Sequence, residues 1–167
     1  YFSPGQSPSS TAGASVADVL FAAFIPAAKG SLGKICIEAT TLPATTKVRA
    51  AFYTNVDGMP GTLIQEGDAE VTCSVAINTV AFTPPVAVPP NGMWAVIVMS
   101  ASSAPTLRIG STGQSYVTGC FDFQTARRGV ISTSFTYPVT QGAMPATFPL
   151  AGATLNSTTI PLIGVGV

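Results

Sequence analysis

Seven carboxylates, three thiols and no histidine define the chemistry open to this 167-residue chain. Without an imidazole, the commonest general base and the commonest transition-metal ligand are both missing. Neither a Ser-His-Asp nor a Cys-His arrangement can be assembled within the chain. Glycoside hydrolysis needs only two carboxyl groups at a set separation. The acids are Asp18, Glu38, Asp57, Glu66, Asp68, Glu70 and Asp122, and only Glu66, Asp68 and Glu70 cluster in sequence. Their alternation beside a turn reads as a solvated strand end rather than as a catalytic pair, so no enzyme is expected. Cys36, Cys73 and Cys120 lie too far apart for compact zinc spacings and read as free, buried or half-buried thiols acting as small apolar residues. No glycine-rich phosphate loop ends in G-K-[ST]. No cofactor is expected.

Residues that bind rather than react are the next candidates. Asn55 and Asp57, with turn carbonyls, offer oxygens to calcium, but two side-chain ligands are too few to define a site. Trp94, the only tryptophan, has the ring to stack on a sugar. Its place in an all-apolar run favours the core instead. Tyr53, beside a turn, is expected to be exposed. Arg127 and Arg128, the only adjacent basic pair, sit among loop aromatics, where a surface for a glycan or another chain would combine charge with stacking. Tyr53, Arg127 and Arg128 are therefore the candidate surface or glycan contacts, against the plainer reading of the two arginines as ordinary surface residues. Seven basic residues balance seven acidic ones, which leaves no electrostatic footprint for nucleic acid.

The elements that must position these side chains are strands. In the stretch 47–67, Val48, Ala50 and Phe52 alternate with Arg49, Ala51 and Tyr53, the period of a strand with one buried face. Asn55, Asp57, Gly58, Pro60 and Gly61 are turn residues, and Thr62 resumes an extended run, so a hairpin is expected. Residues 17–27 contain helix formers, but Val19, Phe21 and Ala23 alternate with Leu20, Ala22 and Phe24 up to Pro26, and a strand is preferred. Ile35 and Ile37 mark another strand, with Lys34 and Glu38 on its other face. Residues 70–75 and 77–82 read as extended. Pro84, Pro85, Pro89 and Pro90 then restrict 83–91 to a loop or a sheet edge. Residues 93–100 are apolar on both alternating sets, as in a strand buried on both faces, in the middle of the domain or at a subunit contact. Residues 106–109, 130–137 and 158–167 are further candidates. The span 110–151 is too long for an ordinary connection and is expected to make function or interfaces.

These short strands separated by turn signals specify an all-β fold, a two-sheet antiparallel β-sandwich. Residues 1–14, rich in Ser, Pro and Gly, read as a flexible lead-in or an arm ordered on a neighbour, and 15–167 as a single domain. The start does not read as a signal peptide. Charged residues are 8% and hydrophobic ones 47%, a balance far from disorder and poor in solubilising charge. No apolar run reaches the roughly 18 residues of a membrane helix, so membrane insertion is not expected. Faces buried against neighbouring subunits would explain the missing charge.

Several motifs carry a family resemblance. AFYTNVDGMPGTLI, a strand ending in an aromatic followed by D-G-x-P-G and T-L, resembles a β-sandwich module of bacteriophage fibre and other virion proteins. It is also similar to jelly-roll modules of secreted carbohydrate-active enzymes. In order along the chain, YFSPGQ at 1–6, GSLGKICIE at 30–38, PPNGMWAVIVMS at 89–100 and AMPATFP at 143–149 resemble the lead-in, second strand, long apolar strand and pre-terminal segment of the phage versions. The resemblance implies that the sandwich is jelly-roll-like and that the chain is a non-enzymatic virion structural protein, a head-fibre, capsid-decoration or tail-fibre component on the particle exterior. A homotrimer is the expected state, with other virion proteins and a host-surface glycan as partners. The alternative is a carbohydrate-binding module of a secreted protein, using Tyr53 or Trp94 as a stacking platform.

Overall fold

Asp57 and Gly58 reverse the chain with two successive positive φ angles, 50° and 79°. This is the backbone of a type I′ hairpin turn, which Asp and Gly tolerate and most residues do not. The computed structural model describes residues 10–13, 19–27, 29–100, 105–109, 129–133, 144–156 and 163–167. They form β1 (Ser10–Gly13), β2 (Leu20–Ile25), β3 (Ser31–Thr41), β4 (Lys47–Val56), β5 (Met59–Glu66), β6 (Val71–Thr72), β7 (Ile77–Ala87), β8 (Met93–Ser100), β9 (Thr106–Ile109), β10 (Gly129–Ser132), β11 (Ala153–Asn156) and β12 (Ile163–Gly166). The hairpin turn is tighter than the turn residues suggest. Asn55 still pairs with Pro60, so Pro60 and Gly61 belong to β5.

The strands form two antiparallel sheets packed face to face, a β-sandwich. The smaller sheet runs β1-β9-β3-β12, with β7 also on β3; the larger runs β11-β10-β2-β8-β4-β5, with β6 on β4. Between them, Phe21, Val48, Phe52 and Ile97 of the larger sheet meet Ile35, Ile37, Val80, Phe82 and Leu107 of the smaller in one buried cluster. The rings of Phe52 and Phe82 lie 4.5 Å apart across the interface. Each fully buried side chain of this size contributes roughly 1.5–3 kcal/mol.

The expected strand at 17–27 is β2, and Ile35 and Ile37 of β3 point into the core while Lys34 is exposed. Two expectations need correction, and one is met. Ser10–Gly13 lies within the stretch read as a flexible lead-in, yet it forms β1 and pairs with β9 of the same chain. Residues 84 and 85 are within β7, which runs on to Ala87 and is the sheet edge that the prolines allow: among the described residues its one ladder partner is β3, which meets it with a register break between Leu32 and Lys34. Only Val71–Thr72 of the extended run 70–75 pairs. Beyond it the Asn78 carboxamide holds the turn, accepting from Ser74 N (2.8 Å) and donating to the carbonyls of Ser74 and Ala76 (both 2.9 Å).

β8 is buried on both faces because it lies inside the larger sheet, between β2 and β4, and because that sheet has a second core on its other side. Leu20, Ala22, Tyr53, Trp94, Val96 and Val98 form this second cluster together with Met144 and Phe148, which come from the connection between β10 and β11. Phe148 N donates to Gly61 O of β5 (2.8 Å), and the neighbouring Pro149 O accepts from Ser132 Oγ of β10 (2.8 Å). In a flat sheet, with β2, β8 and β4 between them, β10 and β5 would stand about 19 Å apart. Two consecutive residues reach both, so the larger sheet is curled around the second cluster and the segment 144–149 closes the gap.

Candidate functional site

Tyr53 follows from β4 and its alternation. The strand places Val48, Ala50 and Phe52 toward the smaller sheet and Arg49, Ala51 and Tyr53 toward the second cluster. Tyr53 is fully buried, not exposed as its place beside the turn suggests. Its hydroxyl donates to Pro145 O at 2.7 Å, and its ring meets that of Phe148 edge-on at 5.8 Å. Burial and then the charge of Glu66 push its hydroxyl well above the ordinary tyrosine range. A side chain so enclosed has no face for a sugar. It anchors the closing segment instead.

Trp94 is a core residue, as its apolar run favours. It packs against Phe24 with ring centroids 5.3 Å apart, and its Nε1 donates to Asn55 Oδ1 at 3.1 Å. Asn55 Nδ2 donates to Asn91 O (2.9 Å) and Asn91 Nδ2 to Asn55 O (3.0 Å). The side-chain oxygen that calcium would use at Asn55 is thus taken by the indole. This reciprocal pair ties the β4–β5 hairpin to the turn before β8. Arg127 and Arg128 lie outside the described residues.

The acidic cluster is organised around Arg49, whose side chain is 4% exposed. Its Nη1 lies 2.8 Å from Glu66 Oε1; its Nε lies 3.5 Å from Glu70 Oε2, an ion-pair distance without hydrogen-bond geometry. Lys47 pairs with the other oxygen of Glu70 at 2.6 Å. Glu66 Oε2 accepts from Met144 N at 3.3 Å, so the carboxylate also grips the start of the closing segment. Asp68 accepts from Thr83 N and Thr83 Oγ1, both at 2.8 Å, joining the β5–β6 connection to β7. The sequence reading of a solvated strand end is therefore corrected for Glu66 and Glu70, which are largely enclosed and cation-bound. Held this way, they satisfy a buried guanidinium and do not form the free acid and base pair that hydrolysis needs.

Elsewhere, Arg108 donates from Nε and Nη2 to the two carboxylate oxygens of Glu38 (3.2 and 2.8 Å) on the solvent side of the smaller sheet. That hydrogen bonding holds the Glu38 carboxyl below its usual range. Cys36 and Cys73 are half-buried free thiols. Cys36 Sγ lies 3.3 Å from Thr79 Oγ1, and burial pushes Cys73 up to about 11. Among the described residues, no three His, Cys, Asp or Glu side chains gather as a metal site.

The feature with most connections is thus the closing segment, with Tyr53, Glu66, Gly61, Leu63 and Ser132 as its receivers. Its sequence, MPATFP, lies within one of the motifs with a family resemblance, although among the described residues two strands, β11 and β12, come after it rather than one. Nothing in its composition points to Tyr53. No protein-family model matches this chain, and no curated protein matches it.

Proposed function

We propose that this chain is a non-enzymatic structural protein of a bacteriophage particle, a head-fibre, capsid-decoration or tail-fibre component on the particle exterior. It works by assembling with copies of itself, as a homotrimer, and with other virion proteins, and it contacts a host-surface glycan as a second task. The observation that carries this reading is the commitment of its reactive and aromatic side chains to internal support: Tyr53, Trp94, Glu66 and Glu70 all hold the sandwich together. The motif resemblance supplies the phage context, and the β-sandwich agrees with it, although that fold alone serves many functions. The carbohydrate-binding module loses both stacking platforms, since Tyr53 and Trp94 are buried.

Light scattering of the purified protein over a concentration series tests the proposal. A stable trimer is the expected result. A monomer at every concentration refutes it.

A further inference from the structure

The closing segment meets the rest of the molecule on two sides. On one side it adds to the edge of β5, with Leu63 N donating to Ala146 O (2.9 Å) and Phe148 N donating to Gly61 O (2.8 Å) around the bridge Thr62–Thr147. On its inner side, Met144 and Phe148 fill the second core, and Pro145 O accepts from Tyr53. An unpaired strand edge is a template for whichever chain supplies the matching backbone. Every one of these contacts would be the same if the segment came from another copy.

A turn stands at the end of the segment. Ala153 N donates to Leu150 O at 3.0 Å, and Gly152 has φ 76°. A turn with positive φ at its third residue is the type II geometry that glycine permits. β11 begins at Ala153, directly after it. Extending Leu150–Gly152 would break the bond from Ser132 Oγ to Pro149 O and carry Met144 and Phe148 away from their own second core. That core would stand open at the β5 edge until a neighbour's segment entered it. Leu150, in that turn, is 48% exposed, an apolar residue placed where exchanged chains would cross.

We propose that segment 144–149 is exchanged between copies of this chain, pivoting on the Leu150–Gly152 turn, and that the slot formed by the β5 edge, Tyr53 and Glu66 is the self-association site. This rests on the assembly reading above and names its device. Exchange of an identical element is a low-cost route to oligomers because it reuses contacts that already exist.

The bonds flanking Thr62 and Thr147 make them a non-hydrogen-bonded pair, whose Cα atoms stand about 4.5 Å apart, within disulfide range. The test combines Thr62→Cys with Thr147→Cys, in a background where Cys36, Cys73 and Cys120 are replaced by Ala. Oligomer and monomer fractions are separated, oxidised and run on denaturing, non-reducing gels. Covalent dimers and larger species from the oligomer fraction are expected. An oligomer whose disulfides are all within single chains overturns the exchange and leaves the assembly reading standing. A monomer at all concentrations overturns both.

Gly152→Val provides the second arm. A β-branched residue resists positive φ but accepts an extended backbone, so the oligomer-to-monomer ratio is expected to rise about tenfold. An unchanged or lower ratio removes the hinge.

Discussion

Glu66→Gln changes one charge in the molecule and almost no volume. Its effect measures what the buried Arg49 demands of its surroundings. Arg49 is enclosed, with Glu66 at 2.8 Å from Nη1 and Glu70 at 3.5 Å from Nε. Two unit charges about 4 Å apart interact by about 4 kcal/mol at an effective dielectric constant of about 20. Breaking a buried pair by removing one partner costs about 3–5 kcal/mol, because the remaining charge stays desolvated. Glu70 still faces Arg49 after the change, and the substituted carboxamide would retain a carbonyl for Met144 N. These place the expected loss near the lower limit, about 3 kcal/mol. Arg49→Met combined with Glu66→Leu removes the desolvated pair altogether and is expected to cost about 1 kcal/mol, less than the single charge removal. Urea denaturation followed by tryptophan fluorescence reads both, with a lowered midpoint and an unchanged slope. A loss below about 1 kcal/mol for Glu66→Gln would show that Arg49 reaches water in solution and would refute the ionic tether.

Phe148→Ala empties part of the second core and is expected to cost about 3–5 kcal/mol in the same assay. Tyr53→Phe removes only the hydroxyl that holds Pro145 O and is expected to cost about 1–2 kcal/mol; no loss from either would mean that the closing segment is not seated there. In alkali, Tyr53 stays protonated in the folded protein above pH 10 while the unfolded chain ionises, so stability falls as pH rises past 10. Absorbance at 295 nm should show one tyrosine ionising only with unfolding, and complete reversible titration in the native state would contradict its burial. Cys73, raised to about 11, adds a loss between pH 9 and 11 of the same sign and should react slowly with thiol reagents at pH 8. Thr45, a β-branched residue at φ 63°, is strained, and Thr45→Asn is expected to raise stability by roughly 0.5–1 kcal/mol in thermal unfolding. An unchanged or lower melting temperature would remove the strain argument.

Strand positions with local causes are legible in the sequence. β2, β3 and β8 follow from alternation and burial, and the β4–β5 hairpin follows from Asp57-Gly58, because period and turn chemistry are properties of neighbouring residues. Tyr53 escapes such a reading for the opposite reason. Its environment is set by Pro145, 92 residues away, and by Phe148, so the rule that residues beside turns are exposed has no access to the segment that covers it. The acids escape it in the same way: Arg49 and Glu66, 17 positions apart, lie on adjacent strands whose pairing shifts register twice. β1 is hidden by its own composition, since Ala and Gly are poor strand formers, Thr11 is the one strand-favouring residue at 10–13, and the strand is held by pairing with β9.

The shortage of charge takes on a different meaning once its distribution is known. Lys47, Arg49, Glu66 and Glu70 form one network, Glu38 and Arg108 form another pair, and Asp68 is bound to Thr83. These charges fix strands to one another. In return, β7 contributes a neutral strip beside Lys34 and Glu38 of β3: Thr79, Ala81 and Thr83 are exposed, and Ile77 is 62% exposed at its start. Desolvating a face of this kind carries little of the penalty that a charged face would impose, because hydroxyls and methyl groups lose much less hydration free energy than ions do. A subunit that must pack against copies of itself gains from that economy, and an independent soluble domain gains nothing from it.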